Sequence, residues 1–178
     1  MAVLYASLST LRDSRDFKPL SDNPIARFAA LHTRRIAESM VHFIRTSNPV
    51  TSLDVTTSTG KVKLNSVLEL AAECTAVNRM FSAVLTRNEV STARTEPQFI
   101  DVDEACRELI ISAEQLAAVL DSLPDSVLGE EFQHPRAVMR GDNAILAAYR
   151  NMAYHCGQIN TVQLLAGDTE FHVPSNWR

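Results

Sequence analysis

Apolar side chains recur every three or four residues along four long stretches of the chain, and that period marks helices. In the first stretch, Ile25, Phe28, Ala29, His32, Ile36, Met40, Phe43 and Ile44 form one stripe. Asp22 or Asn23 can cap it, Pro24 suits a first turn and Asn48-Pro49 ends it, which predicts a helix over 24–46. The second, over 65–86, carries Leu70, Cys74, Val77, Phe81 and Val84, widened by Val67, Met80 and Leu85, with Asn65 as its cap. The third, over 101–122, opens on Asp101-Val102-Asp103-Glu104, an acidic first turn with the form of a capping box. It turns Cys106, Leu109, Ile110, Ala113, Leu116, Ala117 and Leu120 inward. The fourth, over 142–166, follows Gly141 with Asp142 as its cap and stops at Gly167-Asp168.

The connections break that period. Residues 49–64 are rich in β-branched side chains around the turn Ser58-Thr59-Gly60 and read as a long crossover loop with a small hairpin. A Ser/Thr run beside a glycine suggests phosphate binding, but the GK[ST] ending of a P-loop is missing. Residues 125–141 read as a second irregular connection, with Arg136 to Arg140 a short strand-like piece. The resulting expectation is one all-α domain over 1–178, a four-helix bundle with long crossover connections. The first-to-second and third-to-fourth connections are long enough to travel a helix length, so parallel neighbours are allowed. Residues 1–20 read as an N-terminal arm, and Phe171 to Pro174 with Trp177 as a tail that packs back.

Composition changes this picture little. The chain has 178 residues, 46% hydrophobic and 21% charged, with a formal net charge of -4, which argues against a nucleic-acid footprint. No apolar run reaches the length of a membrane span, and Arg12, Asp13, Arg15 and Asp16 interrupt any signal-like N-terminus. The three cysteines, Cys74, Cys106 and Cys156, lie on or beside apolar stripes and form no CxxC pair, so reduced, buried thiols in a cytoplasmic protein are expected.

The candidate chemistry lies in the fourth helix. Asn151 and His155 share a face with Ile145, Ala148, Met152, Ile159 and Val162, which embeds a polar pair in an apolar stripe. A histidine so placed is more often a satisfied core residue than a ligand. On the second helix Glu73 falls beside Leu70, Val77 and Met80. It either snorkels from the stripe margin or needs a cation, a metal or several donors. His32 reads as a ring near a cleft edge and His42 as solvated. Inward side chains from different helices are how bundles build metal sites, so Glu73, Asn151 and His155 form the candidate set.

Ala153-Tyr154-His155-Cys156-Gly157-Gln158-Ile159, followed by Leu164-Leu165-Ala166-Gly167, resembles the last helix of the DinB-like superfamily. These are bacterial four-helix-bundle proteins of similar length that include thiol-dependent S-transferases. The family's last helix carries H-x-x-x-H before G-Q-[IV], and a third histidine precedes a W/A-V-x-R segment in the second helix. Ala76-Val77-Asn78-Arg79 is similar to that segment. The resemblance therefore implies metal-ligand positions at Glu73, Asn151 and His155, a divalent zinc or nickel ion and a small-molecule substrate, including a low-molecular-weight thiol. One of the three family histidines is kept, and asparagine is a poor ligand for either ion, so the implied site is degenerate and weak. Two function classes follow. One is a metal-dependent thiol S-transferase or related enzyme, and the other is a noncatalytic small-molecule binder with a Glu/Asn/His cluster and no metal. A homodimer is compatible with the resemblance, but no exposed stripe argues for one.

Overall fold

The computed structural model describes residues 22–48, 52–88 and 95–177, so the expected arm over 1–20 lies outside the described residues. The chain is mostly helical, with α1 (Pro24–Thr46), α2 (Val67–Leu85), α3 (Val102–Asp121) and α4 (Gly141–Leu165). Two short antiparallel hairpins join them: β1 (Leu53–Thr57) with β2 (Gly60–Leu64), and β3 (Glu131–His134) with β4 (Ala137–Arg140). They correct the all-α expectation. In the first, β-branched Val55 pairs with Val62 and Thr57 with Gly60, and Gly60 closes the turn at φ 126, a conformation that L side chains rarely adopt. In the second, Phe132 faces Met139 and is almost fully buried. This hairpin occupies the connection expected to be irregular.

Local chemistry sets the helix ends. Asn23 caps α1, accepting from the N–H groups of Ile25 and Ala26 at 3.1 and 3.0 Å, and its own amide donates to Pro124 O at 3.1 Å. Ser66, not Asn65, caps α2. Its hydroxyl accepts from Glu69 N at 3.2 Å while the Glu69 carboxylate accepts from Ser66 N at 2.6 Å, a complete capping box. The backbone N–H of Ser66, followed by Lys63, holds the Glu69 carboxyl below the usual range. Asp101 caps α3 as expected. Helix α4 begins one residue earlier than expected, at Gly141, with Arg140 rather than Asp142 at its N-cap and no side-chain cap, and its first turn lies against Val127. A Cβ there would fall 1.7 Å from Val127 O.

The core divides into two clusters. One joins the start of α1 (Ala26, Ala30), the ends of α2 and α3 (Phe81, Val84, Leu116, Leu120) and the start of α4 (Ile145, Ala148). The other joins the end of α1 (Met40, Phe43, Ile44), the starts of α2 and α3 (Val67, Leu70, Cys74, Leu109) and the later part of α4 (Met152, Cys156, Ile159). Helices α1 and α4 therefore run one way and α2 and α3 the other. Each of α1 and α2 packs on both α3 and α4. This corrects the expected crossovers: the α1–α2 and α3–α4 connections each stay at one end, and the chain from Leu85 to Val102 links opposite ends. Its 16 intervening residues can reach ~50 Å when extended, against ~30 Å for a helix of this length.

The face of α1 is also corrected. Ala26, Ala29, Ala30, Thr33, Ala37, Met40, Phe43 and Ile44 are buried, whereas Ile25 and Phe28 are 40% and 52% exposed. Small residues let the first half of α1 approach its neighbours closely, so the larger apolar side chains turn outward. His32 is half-buried, with its ring 4.1 Å from Phe28 and 5.9 Å from Tyr149 between centroids. His42 is not simply solvated: its Nε2 atom is buried, with no hydrogen-bond partner among the described residues. The C-terminal tail packs back where Trp177 donates its indole N–H to Ser39 Oγ at 2.8 Å and meets Phe43 edge-on. No helix among the described residues is long and apolar enough to cross a membrane.

Candidate functional site

The starts of α2 and of the β1–β2 hairpin's exit meet the later half of α4 around a cleft of about 550 Å³. Leu70 and Glu73 line it from α2, Tyr154, His155, Gln158, Thr161 and Val162 from α4, and Val62 to Asn65 form the remaining wall. Its lining is apolar at Val62, Leu64, Leu70 and Val162 and polar at Lys63, Asn65, Glu73, His155, Gln158 and Thr161.

The three candidate residues converge. His155 is 4% exposed, and its Nε2 lies 3.4 Å from Glu73 Oε1 and 3.1 Å from Asn151 Nδ2. The Glu73 side chain is 23% exposed, so it sits at the stripe margin and also reaches the buried imidazole. Met152 and Ile159, both fully buried, fix the rotation of α4 that turns His155 inward. On α2, buried Leu70, Cys74 and Val77 do the same for Glu73.

Three further residues, Gln158, Tyr154 and Cys74, complete the cluster. Gln158 Oε1 meets His155 Nδ1 at 2.5 Å, and Gln158 Nε2 donates to Tyr154 Oη at 3.2 Å. Cys74 Sγ donates to Asn151 Oδ1 at 3.5 Å. The i, i+3 spacing of His155 and Gln158 was a signal for their contact. No local signal placed β2 beside α4, because that contact is tertiary. Arg79, in the segment similar to the family's second-helix motif, points away and pairs with Glu108 at 2.6 Å.

All three cysteines are buried. Burial pushes the Cys156 thiol up to about 12, and burial likewise raises Cys106.

As a holder of zinc or nickel, the donor set fits poorly. It offers one imidazole, one carboxylate and one amide. The amide presents its N–H to Nε2, the atom that would ligate, and turns its oxygen toward Cys74. Among the described residues there is no group of three or more His, Cys, Asp and Glu side chains placed to hold a metal ion. The arrangement instead joins a partly exposed carboxylate to a buried imidazole held by an amide on each side. Comparisons with family models, curated proteins and solved structures give no match.

Proposed function

We propose that the chain is a DinB-like four-helix bundle that binds a small molecule in the cleft above Glu73, Asn151 and His155, with no metal needed for binding. The observation that carries this reading is the convergence of these three residues on the floor of a partly apolar cleft. They occupy the positions where the resemblance puts metal ligands, and here they satisfy one another. The helix arrangement supports the bundle, and the hydrogen-bonded cluster supports the loss of ligand strength.

In this reading Glu73 and His155 form an acid/base pair. Glu73, the more exposed of the two, accepts the proton of a donor group in the cleft and leaves the electron pair on that donor. His155 Nε2 lies 3.4 Å from the same carboxylate, on the floor of the cleft. Leu64, Leu70 and Val162 take the apolar part of the ligand.

A second reading, a metal-dependent thiol S-transferase with weak zinc or nickel, is favoured by one observation: the side-by-side placement of Glu73 Oε1 and His155 Nε2. Calorimetry with zinc and with nickel on untagged protein at neutral pH separates the two. Weak or undetectable binding is expected for the natural chain. The double variant Glu73→His with Asn151→His places three imidazoles on the same scaffold and is expected to bind either ion at least about a hundredfold more tightly. A folded double variant that binds no better than its parent overturns the residue-by-residue match to the family. Tight binding by the natural chain overturns the metal-free reading.

A further inference from the structure

Two side-chain amides flank the ring of His155, and each makes a second hydrogen bond at its far end. Gln158 donates its amide N–H to Tyr154 Oη at 3.2 Å, which leaves its oxygen for His155 Nδ1 at 2.5 Å. Asn151 accepts the Cys74 thiol hydrogen on its oxygen at 3.5 Å, which leaves its N–H for His155 Nε2 at 3.1 Å. An amide has one donating and one accepting end, so fixing either end fixes the other. Both amides make the same demand on the imidazole: a hydrogen on Nδ1 and a lone pair on Nε2. Donation then runs one way, from Cys74 through Asn151, His155 and Gln158 to Tyr154.

Glu73 opposes this order. Its Oε1, 3.4 Å from Nε2, is an acceptor and favours a hydrogen on that nitrogen. The bond distances decide between the two tautomers. The contacts that favour Nδ1–H are 2.5 and 3.1 Å, and the one that favours Nε2–H is longer. Residues 151, 154, 155 and 158 lie on one face of α4 at i, i+3 and i+4 spacings, so helix geometry alone keeps them in register.

We propose that Gln158 is the positioning residue of the cluster, holding His155 as the Nδ1–H tautomer with its Nε2 lone pair toward Asn151 and Glu73, and leaving the phenolic hydrogen of Tyr154 to be donated in the cleft. The cleft thus offers an acceptor at Glu73 and a donor at Tyr154, which is 65% exposed. The ligand class that fits is a small neutral molecule whose hydroxyl, thiol or amide hydrogen meets Glu73 while an acceptor atom meets Tyr154. This use of the tautomer rests on the cleft reading above. The tautomer itself is read without any ligand, so the two fail separately.

The test is nitrogen NMR of the protein labelled at its histidine ring nitrogens, with the His155 signals assigned by difference from His155→Asn. In the neutral ring, Nδ1 is expected to read as protonated and Nε2 as unprotonated. Gln158→Leu removes the acceptor and is expected to shift the tautomer ratio toward Nε2–H by about tenfold, the equivalent of one net hydrogen bond. Gln158→Glu keeps an acceptor at Nδ1 and is expected to keep Nδ1 protonated, which a purely steric role for Gln158 does not predict. A natural protein in the Nε2–H form overturns the proposal, and so does a folded Gln158→Leu variant with an unchanged ring. Should the leucine variant fail to fold, the natural spectrum and that of Gln158→Glu still decide.

Discussion

His155 Nε2 lies 3.4 Å from Glu73 Oε1 across the interface of α2 and α4, yet the two side chains differ in exposure, 5% against 23%. That asymmetry sets different costs for losing each. His155→Ala leaves the ring-facing ends of Asn151 and Gln158 unpaired beside a new cavity and is expected to cost about 2–4 kcal/mol of stability. Glu73→Gln keeps shape and a polar end at a partly solvated position and is expected to change stability by less than about 1 kcal/mol. Urea unfolding of both variants checks this. Equal losses would contradict the placement of Glu73 at the margin.

The buried thiols give a pH dependence. Burial pushes Cys156 up to about 12 in the folded chain, while an unfolded cysteine ionises near 8.5. A raised folded value for an acid means the unfolded state loses its proton first. The contribution is therefore present in full below about pH 8.5 and falls as pH rises toward 12. By pH 10 the natural protein is expected to have lost up to about 2 kcal/mol that Cys156→Ala does not lose. Guanidinium unfolding of both proteins from pH 7.5 to 10 measures the difference. Parallel curves would show that the Cys156 thiol is not desolvated. All three cysteines are also expected to label slowly with a thiol reagent in the native protein.

Between the two core clusters lies a polar contact. Asn78, fully buried, donates to Ser112 Oγ at 3.1 Å and to Met152 Sδ at 3.6 Å, and its Oδ1 has no partner among the described residues. Asn78→Asp replaces a donor with a charge that faces two acceptors and is expected to cost about 3 kcal/mol or more at neutral pH. Asn78→Leu removes the unpartnered oxygen along with the donor and is expected to cost far less. Urea titrations rank the two, and the opposite order would mean that Asn78 is not enclosed.

Two glycines in α4 carry opposite predictions. At Gly141 a Cβ would meet Val127 O at 1.7 Å, so Gly141→Ala is expected to destabilise by about 2 kcal/mol or more despite its better helix propensity. Gly157 is exposed and a Cβ meets nothing within 4 Å, so Gly157→Ala is expected to stabilise by about 0.5–1 kcal/mol. Thermal melts of the pair test both signs, and a stable Gly141→Ala would mean that the 125–129 turn does not press on α4.

Much of this architecture was legible from local chemistry. The bounds of α1 followed from Asn23, Pro24 and Asn48-Pro49, and those of the other helices fell within two residues of the pattern. The inward faces of α2, α3 and α4 followed from their periodicity. The face of α1 did not, because its core side is built from alanines and Thr33, and hydrophobicity by itself pointed to Phe28 instead. Of the second hairpin, β4 was legible as the strand-like piece from Arg136 to Arg140, whereas β3 was read as irregular because its four residues are too few for alternation to stand out.

At the candidate site, spacing placed Asn151 and His155 on one helix face and Glu73 beside an apolar stripe, and the resemblance put ligand positions at all three. A helix of fixed pitch makes such statements local, so the sequence determined them by itself. Only the tertiary structure decided that α2 lies against α4 at that height, that Glu73 faces His155 rather than solvent alone, and that β2 walls the cleft. It also decided the helix directions, with α1 and α4 parallel and the α2–α3 connection running between opposite ends. The physical reason is common to all of these. Backbone hydrogen bonds and caps act over a few residues, whereas which helix meets which depends on packing the two clusters as wholes, and no single segment encodes that.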